Sequence, residues 1–310
     1  MFKKYLPKIY LKLNKIIHFK NYSILYNIEG MYHLPFATNI HQILFGAIYA
    51  HKNNSNFYFE GSELINKFSI IHNKFGNNFK FFKKRYRFYY FNRPESNFFK
   101  RKDYFNNLEN DFPIREYELS FYKNNIHNYA KNILFEKLKF YKDIEIDQDT
   151  LVIHIRSGDI FYNDWHSLYV QNPISFYLKI VKNYKKVIVV TNEIENNLIL
   201  KELNKHIDFK LCSGKLEDDI NILLNAKNLA TSGVSAFPIA CALMSQKLEK
   251  LIFSNIYLDE HLNPEMINEK IVEKFEYKIK NYIEIGKFTK SSLNEDKIFS
   301  VDQNLVEQIN

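Results

Sequence analysis

The chain has 310 residues, a net charge of +8 and a pI near 9.1, with 46% apolar and 16% aromatic residues, a composition able to bury the cores of two ordinary domains. The positive balance favours anionic partners, but paired zinc ligands and aromatic-studded RNA-binding strands are both missing, so nucleic acid is not expected as a partner. Two cysteines, Cys212 and Cys241, exclude a disulfide framework, and no run approaches the roughly 20 apolar residues of a membrane span.

Residues 1–20 interleave Lys3, Lys4, Lys8, Lys12, Lys15 and Lys20 with Leu6, Ile9, Leu11, Leu13, Ile16 and Ile17. The segment lacks the apolar core and cleavage site of a signal peptide. It reads either as a basic amphipathic stretch touching the inner face of a membrane, or as a surface helix docked on its own domain, since Pro7 and irregular spacing weaken the apolar stripe. A cytoplasmic protein, peripheral at most, is expected.

Further along, strands are expected at 23–27 and 56–59 and helices at 39–51 and 61–73. Residues 79–102, dense in Phe, Tyr, Lys and Arg without a clean period, read as a large loop with short strands. A long helix is expected from Pro113 to Phe140. The polar stretch 143–150 then separates two domains, 1–145 and 146–310.

The second half alternates regularly. Strands expected at 151–155, 187–191, 209–212, 228–231 and 250–253 are separated by helices at 173–183, 195–204, 216–226 and 235–245. Such alternation with short loops marks a doubly wound parallel sheet, whose ligands bind beyond the carboxyl ends of the strands. The tail 256–310 reads as helical and polar.

The segment Leu151–Phe161, LVIHIRSGDIF, is the most informative. Period two places His154 and Arg156 on one strand face, and Gly158 permits a sharp turn. An arginine at a strand's carboxyl end suits a diphosphate, because its planar fork offers two charged donors at once; the alternative is a structural pair with Asp159.

This segment resembles the His-x-Arg-x-Gly-Asp motif of the α-1,2-fucosyltransferases and is similar to the corresponding segments of α-1,6- and protein O-fucosyltransferases. The resemblance implies that Arg156 holds the donor's β-phosphate, with His154 near the guanosine. Leu216–Ser235, LEDDINILLNAKNLATSGVS, resembles a second family stretch in which an acidic residue binds guanine and a serine sixteen positions on meets phosphate, as Asp219 and Ser235 are spaced. Ser232 lies in the same turn. The ordinary alternative for Asp219 and Ser235 is a helix-start carboxylate and an N-cap serine. A fainter similarity covers Ala37–Gln42, where Asn39 and Gln42 become candidate substrate contacts although the family's glycines are missing.

The resemblance further implies two Rossmann-like domains facing across a cleft, of the GT-B type, the first on the acceptor side and the second binding the nucleotide-sugar. The implied reaction is inverting transfer of L-fucose from GDP-fucose to a glycan hydroxyl, without metal or other cofactor. A base must then take the acceptor's proton. Asp164, ten residues past His154, is favoured over Asp159, with Trp165 as a candidate stacking partner for the acceptor and His166 as a bystander. Asp147-Gln148-Asp149 satisfies a metal-binding pattern but precedes its strand, and reads as a solvated linker. The alternatives are a transferase of this fold using another nucleotide-sugar, and a noncatalytic basic protein that binds glycan or nucleic acid.

Overall fold

The computed structural model describes residues 22–24, 26–27, 36–52, 54, 56–59, 61–72, 77–79, 87–90, 111–114, 116–161, 167–258, 261–289 and 297–309. The amphipathic segment 1–20 lies outside them. Among the described residues no helix is long and apolar enough to cross a membrane.

The first half contributes short strands to small sheets. β1 (Tyr22–Ile24) pairs with β5 (Asn77–Phe79), β2 (Tyr26–Asn27) joins β3 (Phe57–Phe59) and β4 (Phe68–Ile70), and β6 (Arg87–Tyr90) pairs with β7 (Asp111–Ile114). Helix α1 spans Phe36–Lys52, a little longer than expected. The helix expected at 61–73 is not formed. Gly61 turns with φ +98°, the amide of Asn66 donates to the carbonyl of Lys137 at 2.7 Å, and Ile65 bridges Leu138, so this backbone is used against a neighbouring segment instead of within a helix.

The long helix expected from Pro113 also differs. Pro113 lies inside β7, in a two-stranded sheet that tolerates its missing N–H, and α2 begins at Glu116 and ends at Tyr129. A π turn at Ala130–Leu134 and a 3-10 turn at Phe135–Lys137 carry the chain onward.

The second half forms one seven-stranded sheet from β8 (Thr150–His154), β9 (Lys186–Val190), β10 (Lys210–Cys212), β11 (Asn228–Ala230), β12 (Lys250–Ser254), β13 (Glu273–Ile279) and β14 (Val306–Gln308). Its order is β10-β9-β8-β11-β12-β13-β14, parallel except for β14. The first six strands thus follow the 3-2-1-4-5-6 order of a doubly wound sheet. The helices are α3 (Ile174–Ile180), α4 (Leu198–Leu203), α5 (Leu216–Asn225) and α6 (Ala236–Met244). The tail, expected helical, instead supplies β13 and β14, because Phe275, Tyr277 and Ile279 alternate with charged residues at the period of a strand.

Alternation along the strands divides the core. One face, with Val152, Leu229, Leu251 and Phe253, packs under α5 and α6 and continues without a break into α1 and α2. The other, with Leu151, Ile153, Val189, Ala230 and Ile252, packs under α3, α4 and the tail residues Ile283, Phe288, Ile298 and Val306. All five residues of β8 are buried, as a central parallel strand requires.

Candidate functional site

The strand order reverses direction between β8 and β11, and the two segments singled out by sequence leave the sheet there side by side. His154, the last residue of β8, is buried, and its Nδ1 is 3.2 Å from the hydroxyl of Ser232 in the turn after β11. Burial, reinforced by the charge of Arg156, lowers the pKa of His154 to about 3, so its imidazole is neutral at physiological pH. Its ring lies 5.3 Å from that of Phe237 in the first turn of α6, and Phe237 meets Phe36 at the start of α1 edge-on at 5.9 Å. A chain of rings therefore brings α1, with Asn39 and the buried Gln42, up to the same end of the sheet.

Arg156 follows the strand end and lies close enough to His154 for its charge to be felt there. Beyond the strand end it stacks on Tyr169, its guanidinium carbon 3.8 Å from the ring centre. Stacking engages the face of the guanidinium and fixes its plane, while its N–H donors lie along the edge. Gly158 has φ +73°, and a side chain there would press on Asn192 in the loop after β9. Between them, the hydroxyl of Ser157 is buried with no hydrogen-bond partner. Asp159 falls in the 3-10 turn Gly158–Phe161, but its side chain is not among those described, and Asp164, Trp165 and His166 lie outside the described residues.

The turn after β11 is held by the segment 170–172, which Ser254 braces in turn. Gly233 has φ +86° and bridges Gln171; a Cβ there would stand 2.6 Å from the carbonyl oxygen of Val170. Val234 donates to that carbonyl at 2.9 Å, Asn172 Nδ2 donates to the Thr231 carbonyl at 2.9 Å, and Ser254 Oγ donates to Asn172 Oδ1 at 2.6 Å. The segment 167–172 is itself pinned by the tail, through Tyr282 Oη donating to the Gln171 carbonyl at 2.8 Å and the amides of Gly286 and Phe288 donating to the Ser167 carbonyl. Beside the turn, Gly233, Ser235, Ser254 and His261 line a crevice of about 10 Å³, room for one water-sized oxygen.

Ser235 is the N-cap of α6, yet its side chain makes no capping bond to the helix. The N-terminal amides of such a helix, where Pro238 lacks an N–H, favour an anion. Asp219, in the first turn of α5, is only 4% exposed, and its Oδ1 has no hydrogen-bond partner. Burial raises its pKa to about 6, with the Gly214 amide opposing the shift and Asp218 adding to it. Asp219 stands near the end of β10 and near α6: apart from their own burial, Cys212 and Cys241 both feel its charge.

The structure thus brings His154, Arg156, Ser232, Ser235 and Asp219 to the carboxyl ends of β8, β10 and β11. Tyr169, Ser157 and Asn172 belong to the same neighbourhood and escaped the sequence reading. Ser157 sits inside the motif and could have been found there, whereas Tyr169 and Asn172 follow a loop with no periodic signal. Asp147 and Asp149 form exposed ion pairs with Lys186 and Lys185 and tie the entry to β8 to the start of β9.

No protein-family model matches the chain, and no curated protein is similar to it.

Proposed function

We propose that the chain is an inverting glycosyltransferase that moves a sugar, L-fucose in the preferred reading, from a GDP-sugar to a glycan hydroxyl. The observation that carries this is the meeting of the two family-like segments at one switch point, where the contact of His154 with Ser232 joins them.

In the proposed reaction the bond between the sugar's anomeric carbon and the β-phosphate oxygen breaks, the oxygen leaving on GDP, as the acceptor oxygen attacks that carbon from the opposite face. Arg156, oriented by Tyr169, meets the charge growing on the leaving diphosphate. Ser235 and the start of α6 take a phosphate oxygen, and ionised Asp219 accepts from the guanine N–H groups. The acceptor's proton passes to a carboxylate of the following loop, Asp164 or Asp159. Residues 1–145 would form a second Rossmann-like domain on the acceptor side of a cleft.

Titration with nucleotides tests the reading. Micromolar GDP binding that is lost in Asp219→Ala supports it; preference for UDP moves the donor to another nucleotide-sugar, and no nucleotide binding overturns the proposal.

A further inference from the structure

At the opposite, amino end of the sheet lies a groove of about 350 Å³ that none of the foregoing uses. Its origin is topological. Helix α3 stops at Ile180 and passes through a 3-10 turn, Val181–Asn183, into extended chain at Tyr184, so among the described residues no helix covers the amino ends of β11, β12 and β13 on that face. The edge strand β14 is too short to help, since it pairs only with Tyr277–Ile279 and leaves the first half of β13 uncovered.

The lining has two parts. Ile252 and Tyr277, almost wholly buried, close the bottom of the groove, and half-buried Phe275, the register partner of Ile252, presents an aromatic ring to it together with Tyr184. Exposed Asn183 and Gln308, with half-buried Tyr184, make a polar rim, and Tyr277 Oη donates to Gln308 Oε1 at 3.2 Å.

The charged residues at the groove are already matched. Lys250 is 3.9 Å from Glu273 and 5.5 Å from the Phe275 ring, and Asp149 pairs with Lys185 at 2.5 Å. The groove therefore offers aromatic surface and neutral hydrogen-bonding groups without a net charge that would select an anion or a cation. Its volume lies at the small end of the range typical of ligand pockets, roughly 300–1,000 Å³.

We propose that this groove binds a neutral saccharide unit, one ring or two. A pyranose has a face of C–H groups that suits aromatic rings and an equatorial belt of hydroxyls that suits an amide and phenol rim. The site is separate from the candidate nucleotide site: Lys250 and Ser254 are the two ends of β12, four steps apart, so about 13 Å of strand lies between them. The inference stands whether or not the chain is a transferase.

The test is saturation-transfer NMR on the full chain with the methyl pyranosides of glucose, galactose and N-acetylglucosamine at millimolar concentration. Transfer to ring C–H protons of at least one is expected. Tyr184→Leu, which keeps apolar bulk and removes the aromatic ring, should cut it at least threefold, as should Asn183→Ala, whose exposed position leaves folding intact. Transfer to none of the three, equal transfer in both variants, or loss of transfer on adding inorganic phosphate would overturn the proposal. GDP titration of the same variants should be unchanged, so failure here and failure of the nucleotide site are read separately.

Discussion

His154 and Ser232 are in hydrogen-bond contact at 3.2 Å although 78 residues separate them in the chain. The contact sits where β8 and β11 run parallel as sheet neighbours, so it reports directly on whether the two halves of the sheet are in register at their carboxyl ends. Ser232→Ala leaves a buried imidazole nitrogen without its partner, a loss of about 1–3 kcal/mol. Urea unfolding should show this loss, together with weaker GDP binding.

Arg156 and Tyr169 act as a pair. Arg156→Ala should abolish sugar transfer, and Arg156→Lys should remain at least tenfold impaired, because an ammonium keeps the charge but not the planar fork. Tyr169→Leu should weaken GDP binding by a smaller factor while preserving the fold. Near-normal turnover in Arg156→Ala would refute the assigned role.

The raised pKa of Asp219 makes two pH effects. Its folded-state value, about 6, lies above the ordinary 3.8, so its contribution to stability is full below 3.8 and is lost as pH rises through 6. Asp219→Asn should therefore raise Tm at pH 7.5 and leave it unchanged at pH 3.5. Binding runs the other way: GDP affinity should climb between pH 5 and 7 in the native chain and lose that climb in the variant.

His127 works in the opposite sense. It is buried, its Nδ1 accepts the Asn268 amide at 3.0 Å, and burial, with Lys131 adding, lowers its pKa to about 4. Its stabilising contribution is whole above 6.5 and is lost as pH falls through 4. His127→Gln, which can still accept from Asn268 but cannot titrate, should flatten the fall in urea midpoint between pH 6.5 and 4.

Gly233→Ala should destabilise the chain by about 1–3 kcal/mol or more, because the residue is held at positive φ and its new Cβ would meet the Val170 carbonyl. Tyr282→Phe, which strips one bond from the clamp on residues 169–172, should cost about 1 kcal/mol and weaken GDP binding. Thermal unfolding and calorimetry check both.

The parallel sheet was legible because its central strands, β8 and β11, are wholly buried and read as short apolar runs, as does Val187–Val190 beside them. Helices at 174, 198, 216 and 236 announced themselves by their spacing between those runs. Residues 61–73 misled because Leu64, Ile65, Phe68 and Ile71 have helical spacing, while Gly61 and the partner segment at 135–139 decide the backbone. The tail misled for the converse reason: β13 is an outer strand of alternating Lys, Glu and aromatic residues, and its charges suggested an exposed helix. At the site, residues inside motifs were found, and Tyr169, reached only through tertiary packing, was not.

The central place of β8 has a consequence for the order in which the chain can assemble. β8, β9 and β10 follow one another and can pair early, but β11, the other neighbour of β8, arrives some 75 residues after it. Until then β8 is an edge strand, carrying Leu151, Val152 and Ile153 with one row of backbone groups unmatched, which is a template for pairing with another chain. Refolding from denaturant should accordingly lose yield to aggregation as concentration rises, and a lower synthesis temperature should favour recovery of the native sheet.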